Sequence, residues 1–114
     1  AIRTLYEKTG YILDTHTAVA SSVYGKYKAE TKDEQTTTVI ASTASPYKFV
    51  KRVMSAIDAE NANADEFDLL PKLQEVSGVP MPQAIKDILD AKVLHDLECD
   101  ADKMKDTVKG ILGV

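Results

Sequence analysis

At 114 residues and 12.5 kDa, with 44% hydrophobic and 28% charged residues, the chain has the composition of one globular unit and is too short for a second independent core. A net charge of −4 and 6% aromatic residues supply neither the basic field nor the stacking surface that a nucleic-acid partner requires. No apolar run approaches the ~20 residues of a membrane helix, and the single cysteine, Cys99, excludes an internal disulfide and suits a reducing cytoplasm.

The opening "AIRTLYEKTG" has no signal-peptide block and no initiator methionine, and it enters a helical pattern at once. It reads as a piece of something longer; removal of a short leader is the alternative. Its helix carries Ile2 and Leu5 on one side, with Gly10 placed to end it in a left-handed residue. Asp14 is suited to cap a long second helix, in which Ala20, Val23, Tyr24 and Tyr27 recur at spacings of three and four and predict a buried stripe. Gly25 lies inside that helix, where glycine costs about 1 kcal/mol relative to alanine, so close packing against another backbone is expected there.

After the polar "TKDEQ", the β-branched "TTTVIAS" predicts a short buried strand. "STASPYKF", residues 42–49, then turns the chain into a helix, with Ser45 as cap and Pro46 as first residue. Phe49, Val50, Val53, Met54 and Ile57 share one face of it, and the polar "DAENANAD" follows as a linker. Phe67, Leu70, Leu73 and Val76 keep helical spacing around Pro71, which is expected to divide the segment before Gly78 stops it. Pro82 restarts a helix with Ile85, Ile88 and Leu89. "KVLHDL" is a second strand candidate, and Asp100 is placed to cap a last helix with a buried stripe of Met104, Val108, Ile111 and Leu112. Helices alternating with two separated strands predict an α/β arrangement whose remaining strands come from elsewhere.

Ligands in open α/β sheets bind outside the carboxyl ends of strands, where a helix N-terminus offers free N–H groups. "STASPYKF" occupies such a position. Its small residues admit a flat ligand, its hydroxyls can hydrogen-bond, and Lys48 carries a cation toward a phosphate or carboxylate. Ordinary capping by Ser45 and a solvated Thr43 account for the same residues, so the pattern alone leaves both readings open. A second candidate is "LDTHTAV", where His16 stands in the first turn of a helix as a possible general base or phosphate contact, or as a purely structural residue. His95 reads as packing. One cysteine and two distant histidines reproduce no metal-ligand spacing, and the glycine-rich phosphate loops and the G-x-S-x-G elbow are missing.

"GYILDTHTAVASSVYGKY", "TVIASTASPYKFVKRV" and "VPMPQAIKDILDAKVLH", in that order, with a closing "DKMKDTVKGIL", resemble the C-terminal part of bacterial threonine synthase of the longer class. The resemblance runs over essentially the whole chain, 1–114, as a single unit. It implies the C-terminal, mostly helical portion of a three-layer α/β/α enzyme of the tryptophan synthase β-like fold, to which the chain contributes about two strands. The family uses pyridoxal 5′-phosphate to convert O-phosphohomoserine and water to threonine and phosphate. The resemblance implies that Thr43 meets the pyridine nitrogen, with Ser45, Lys48 and His16 near the site. It also implies that no catalytic residue lies in this chain, because the Schiff-base lysine belongs to a Phe-Lys-Asp motif that does not occur here. Thr15 stands where the family usually has proline. The expected partner is the remainder of the enzyme, with self-association of the isolated chain through unpaired edges. The rival reading is a stand-alone binding or regulatory module without the chemistry.

Overall fold

A computed structural model describes residues 1–114. The order is α1 (Ile2–Thr9), α2 (Thr15–Thr31), a 3-10 turn (Pro46–Phe49) that runs into α3 (Val50–Ile57), a second 3-10 turn (Ala59–Asn63), α4 (Glu66–Ser77), α5 (Gln83–Leu89) and α6 (Met104–Leu112). The chain is mostly helical, and it contains no strand.

The core forms around α3. Val50, Val53 and Met54 are buried, at the i, i+3, i+4 spacing that puts them on one face, and they meet Leu69, Leu70 and Leu73 of α4 and Ile2 of α1. Leu69, Leu73 and Val53 are fully excluded from water, which stabilises the fold by about 1.5–3 kcal/mol for each such side chain. Arg3 Nε donates to the Ala56 carbonyl at 3.0 Å and ties α1 to the end of α3. Gly10 and Gly78 end α1 and α4 with φ of 73° and 65°, a region an L side chain enters at a cost. Asp14, Ser45, Asp58 and Asp65 each accept backbone N–H groups at the starts of their helices, as that residue type does best.

Several expectations are corrected. Pro71 does not divide α4: the helix is continuous around it, with Pro71 exposed and Leu69, Leu70 and Leu73 buried beside it. The proline forgoes one backbone hydrogen bond, and burial of the adjoining leucines outweighs that loss. Phe67 is exposed, and Leu69 takes the core position instead. In α2 the buried residues are Thr17 and Ala18; Val23 and Tyr27 are exposed and Tyr24 is half-buried, because only the first turn of that long helix rests on the core. A Cβ added at Gly25 would meet nothing within 4 Å, so no close backbone packing explains this glycine within the chain.

The strand candidates also differ. Residues 36–42 and 92–97 form neither helix nor ladder, and nearly all are exposed, because an extended segment needs a neighbouring strand to satisfy its backbone and none lies beside them. His95 is exposed rather than packed. α6 starts at Met104 with Lys103 at its cap position, so Asp100 stands outside it, and its apolar stripe of Met104, Val108, Ile111 and Leu112 is exposed. These outlying parts give a radius of gyration of 18.9 Å, against about 13 Å for a compact domain of this length.

Candidate functional site

The geometry joins two stretches that the sequence presents separately. Asp14 ends the extended entry to α2 with φ −70° and ψ 165°, and its Oδ1 accepts from the backbone N–H of His16 at 2.8 Å and of Thr17 at 3.1 Å. Its Oδ2 takes the Thr17 hydroxyl and, from across the chain, the Ser42 hydroxyl at 3.3 Å. Thr17 and Ser42 oxygens are themselves 3.1 Å apart. A carboxylate only accepts, so the Thr17 proton points at Asp14, and the Ser42 proton is given to Asp14 or to the Thr17 oxygen.

Asp14 is almost entirely buried, with 1% of its surface exposed. Burial pushes its carboxyl pKa up, but the hydrogen bonds from the Thr17 hydroxyl, from the Thr17 and His16 N–H groups and from Ser42 together outweigh that, and the group is held below its ordinary value. It is therefore an anion at neutral pH with its bonding capacity taken up inside the chain.

Each candidate residue has a definite place. His16 and Lys48, from different motifs, meet on one ring: the His16 imidazole lies 4.9 Å from the Phe49 ring centroid at a 51° tilt, and the Lys48 ammonium lies 5.7 Å from it. His16 Nδ1 is 3.6 Å from Asp14 Oδ1 and its side chain is largely exposed. Ser45 accepts the Tyr47 N–H at 3.3 Å and so caps the 3-10 turn. Thr43 lies between Ser42 and Ser45, exposed, and none of these bonds takes up its hydroxyl. Ala44 beside it is small and Thr43 is exposed, so a flat ring has room to approach the Thr43 hydroxyl. Those residues fit a heteroaromatic group that offers one ring nitrogen.

Two features escape sequence reasoning. Tyr47, buried under the corner, donates its hydroxyl to the Val79 carbonyl at 2.6 Å and fixes the 3-10 turn to the segment after α4. The Ser42–Asp14 bond spans 28 positions, and no local periodicity signals it. A mostly apolar cavity of about 170 Å³ lies against Ser45, Pro46, Tyr47, Ile12 and Leu73. It is smaller than the ~300 Å³ at which ligand pockets begin, and of the candidate residues only Ser45 borders it while Thr43, Lys48 and His16 do not, so it reads as imperfect packing behind the corner. No group of three or more His, Cys, Asp or Glu side chains is placed to hold a metal ion, and no helix is long and apolar enough to cross a membrane.

Comparison with known proteins places most of the chain in one family. Residues 17–108 match the family described as "Threonine synthase, C-terminal". The chain is 36% identical over 104 residues to "Threonine synthase-like 1" of Mus musculus, covering 90% of this chain and 13% of that protein. It is 35% identical over 106 residues to "Threonine synthase" of Schizosaccharomyces pombe, covering 84% of this chain and 21% of that protein. The human "Threonine synthase-like 1" is 34% identical over 80 residues, 70% of this chain and 10% of its own length. The chain thus spans about a tenth to a fifth of the curated relatives it matches. With a family match over most of its length, this chain belongs to the threonine synthase family, in that family's C-terminal region.

Proposed function

We propose that the chain is the C-terminal part of a threonine synthase, an enzyme of the lyase class that turns O-phosphohomoserine and water into threonine and phosphate. Its Thr43 hydroxyl faces the pyridine nitrogen of pyridoxal 5′-phosphate. The observation that carries this reading is the corner at residues 42–45: Ser42 and Ser45 are committed to bonds inside the chain, and Thr43 stands exposed between them with the small Ala44 beside it. Family membership supplies the chemistry to which that hydroxyl is matched.

When bound, the cofactor supplies an electron sink for reactions at the substrate's carbon skeleton. The chain's own contribution is to orient the ring and set the polarity at one edge. A neutral hydroxyl leaves a ring nitrogen less protonated than a carboxylate partner does, so Thr43 holds the sink mild. Lys48, engaged with Phe49 and exposed, takes a supporting role, and so does His16. The chain alone is inactive on this reading, since the covalent lysine and the phosphate-binding loop belong to the rest of the enzyme. In the intact enzyme the chain completes a three-layer α/β/α fold, with residues 36–42 and 92–97 paired into its sheet.

Complementation of a threonine auxotroph with the full-length gene tests the reading. Growth without threonine is expected, and an expressed, folded product that gives no growth would contradict it. In that case the module without chemistry, kept for binding or regulation, is the reading that survives.

A further inference from the structure

We infer that Asp14, Thr17 and Ser42 form a clamp that positions Thr43, and that the start of α2 therefore sets the cofactor contact although it does not touch the ring. This rests on the proposed function for the role of Thr43, and on the geometry for the clamp itself.

Residues 36–44 precede the 3-10 turn without secondary structure of their own, and almost all of them are exposed. Such a segment has many accessible conformations, and each residue fixed costs about 1–2 kcal/mol of conformational entropy. The side-chain ties that hold its end lie at its last residues. Ser45 caps the turn on one side of Thr43, and Ser42 reaches the Asp14–Thr17 pair on the other. Thr43 is thus suspended between two anchors, of which only the Ser42 anchor reaches a different helix. The receiving end is rigid: Asp14 is buried and fixed by the His16 and Thr17 N–H groups at the first turn of α2, and Thr17 is buried beside it. No buried side-chain polar atom in the chain is left without a partner, those of Asp14 and Thr17 included, so the buried end of this cluster leaves no unsatisfied group for a ligand. Its one output is the position of the segment that carries Ser42. A single hydrogen bond from a hydroxyl weakens steeply with displacement, so anchoring one residue away matters to function.

Ser42→Ala removes the tie and leaves the Asp14 cap intact, and Ser42 is exposed enough that the fold survives the change. Backbone order at Thr43 and Ala44 is read by 15N relaxation on this chain. The expected result is a fall in S² from about 0.8 to below about 0.6 at those residues, with α2 unchanged. Ser42→Thr, which keeps the hydroxyl, is expected to retain the order. Unchanged order in Ser42→Ala, or lost order in Ser42→Thr, overturns the clamp. In the intact enzyme, cofactor affinity measured by absorbance is expected to fall about twofold to fivefold in Ser42→Ala. The double variant Ser42→Ala/Thr43→Ala is expected to be no weaker than Thr43→Ala alone, because both act through one contact. Additive losses overturn the inference. If Ser42→Ala loosens Thr43 while Thr43→Ala leaves cofactor affinity unchanged, the clamp stands and the proposed role of Thr43 falls.

Discussion

Helices α3 and α6 are built on the same apolar pattern and end in opposite environments. Val50, Val53 and Met54 of α3 are at most 3% exposed, whereas Ile111 and Leu112 of α6 are each 68% exposed. Periodicity specifies that a helix has an apolar face; it does not specify what lies against it. α3 finds α1 and α4 within the chain. Nothing within the chain covers α6, nor Val93, Leu94 and Leu97 before it, and on the proposed function the remainder of the enzyme covers them.

The sharpest way to break that comparison is to truncate one residue from each helix system. Leu73→Ala empties a fully buried position and is expected to destabilise the chain by about 2–5 kcal/mol in urea unfolding. Ile111→Ala is expected to change it by less than about 0.5 kcal/mol. Equal losses would mean that α6 is packed in solution and that the two regions do not differ.

Asp14 sharpens the packed side of the comparison. Replacing it with asparagine removes charged hydrogen bonding at the cap and is expected to cost about 1–2 kcal/mol at pH 7. Its folded-state pKa lies below the ordinary value, so the unfolded chain binds the proton more readily. The advantage of Asp14 over the asparagine variant is accordingly complete above the unfolded value near 4, and it is lost as pH falls through the lower folded value. Paired denaturation curves from pH 7 down to pH 2.5 measure this; a difference that grows toward acid would contradict the hydrogen-bond assignment.

Self-association is the smaller effect, and it concerns the exposed side. An uncovered apolar stripe and unpaired extended segments favour weak, concentration-dependent association, which sedimentation is expected to detect. Ile111→Asp is expected to weaken it. A monomer across the whole concentration range would show that the stripe is not sticky enough to matter.

How much of this was legible in the sequence follows the same division. The Asp14 and Ser45 caps, the Gly10 and Gly78 stops and the α3 face were readable because each is decided by residues within one or two turns. Pro71 misled, since the penalty of one proline is local and the burial of Leu69, Leu70 and Leu73 that outweighs it is tertiary. The α2 stripe and the two strand candidates differ in the other direction: β-branched and apolar spacing signals burial, and within this chain those residues are mostly exposed. At the corner, the Ser45 cap was legible from motif and Lys48 drew notice for its charge. The Asp14–Thr17–Ser42 junction was not, because it forms only when distant segments meet.

The central claim is that this chain supplies the hydroxyl facing the cofactor's ring nitrogen, and the most direct test is the cofactor dissociation constant of the intact enzyme with Thr43→Ala. Loss of one hydrogen bond worth about 1 kcal/mol predicts binding about fivefold weaker, with slowed turnover and an altered cofactor absorption band. An unchanged dissociation constant and an unchanged spectrum would contradict the claim.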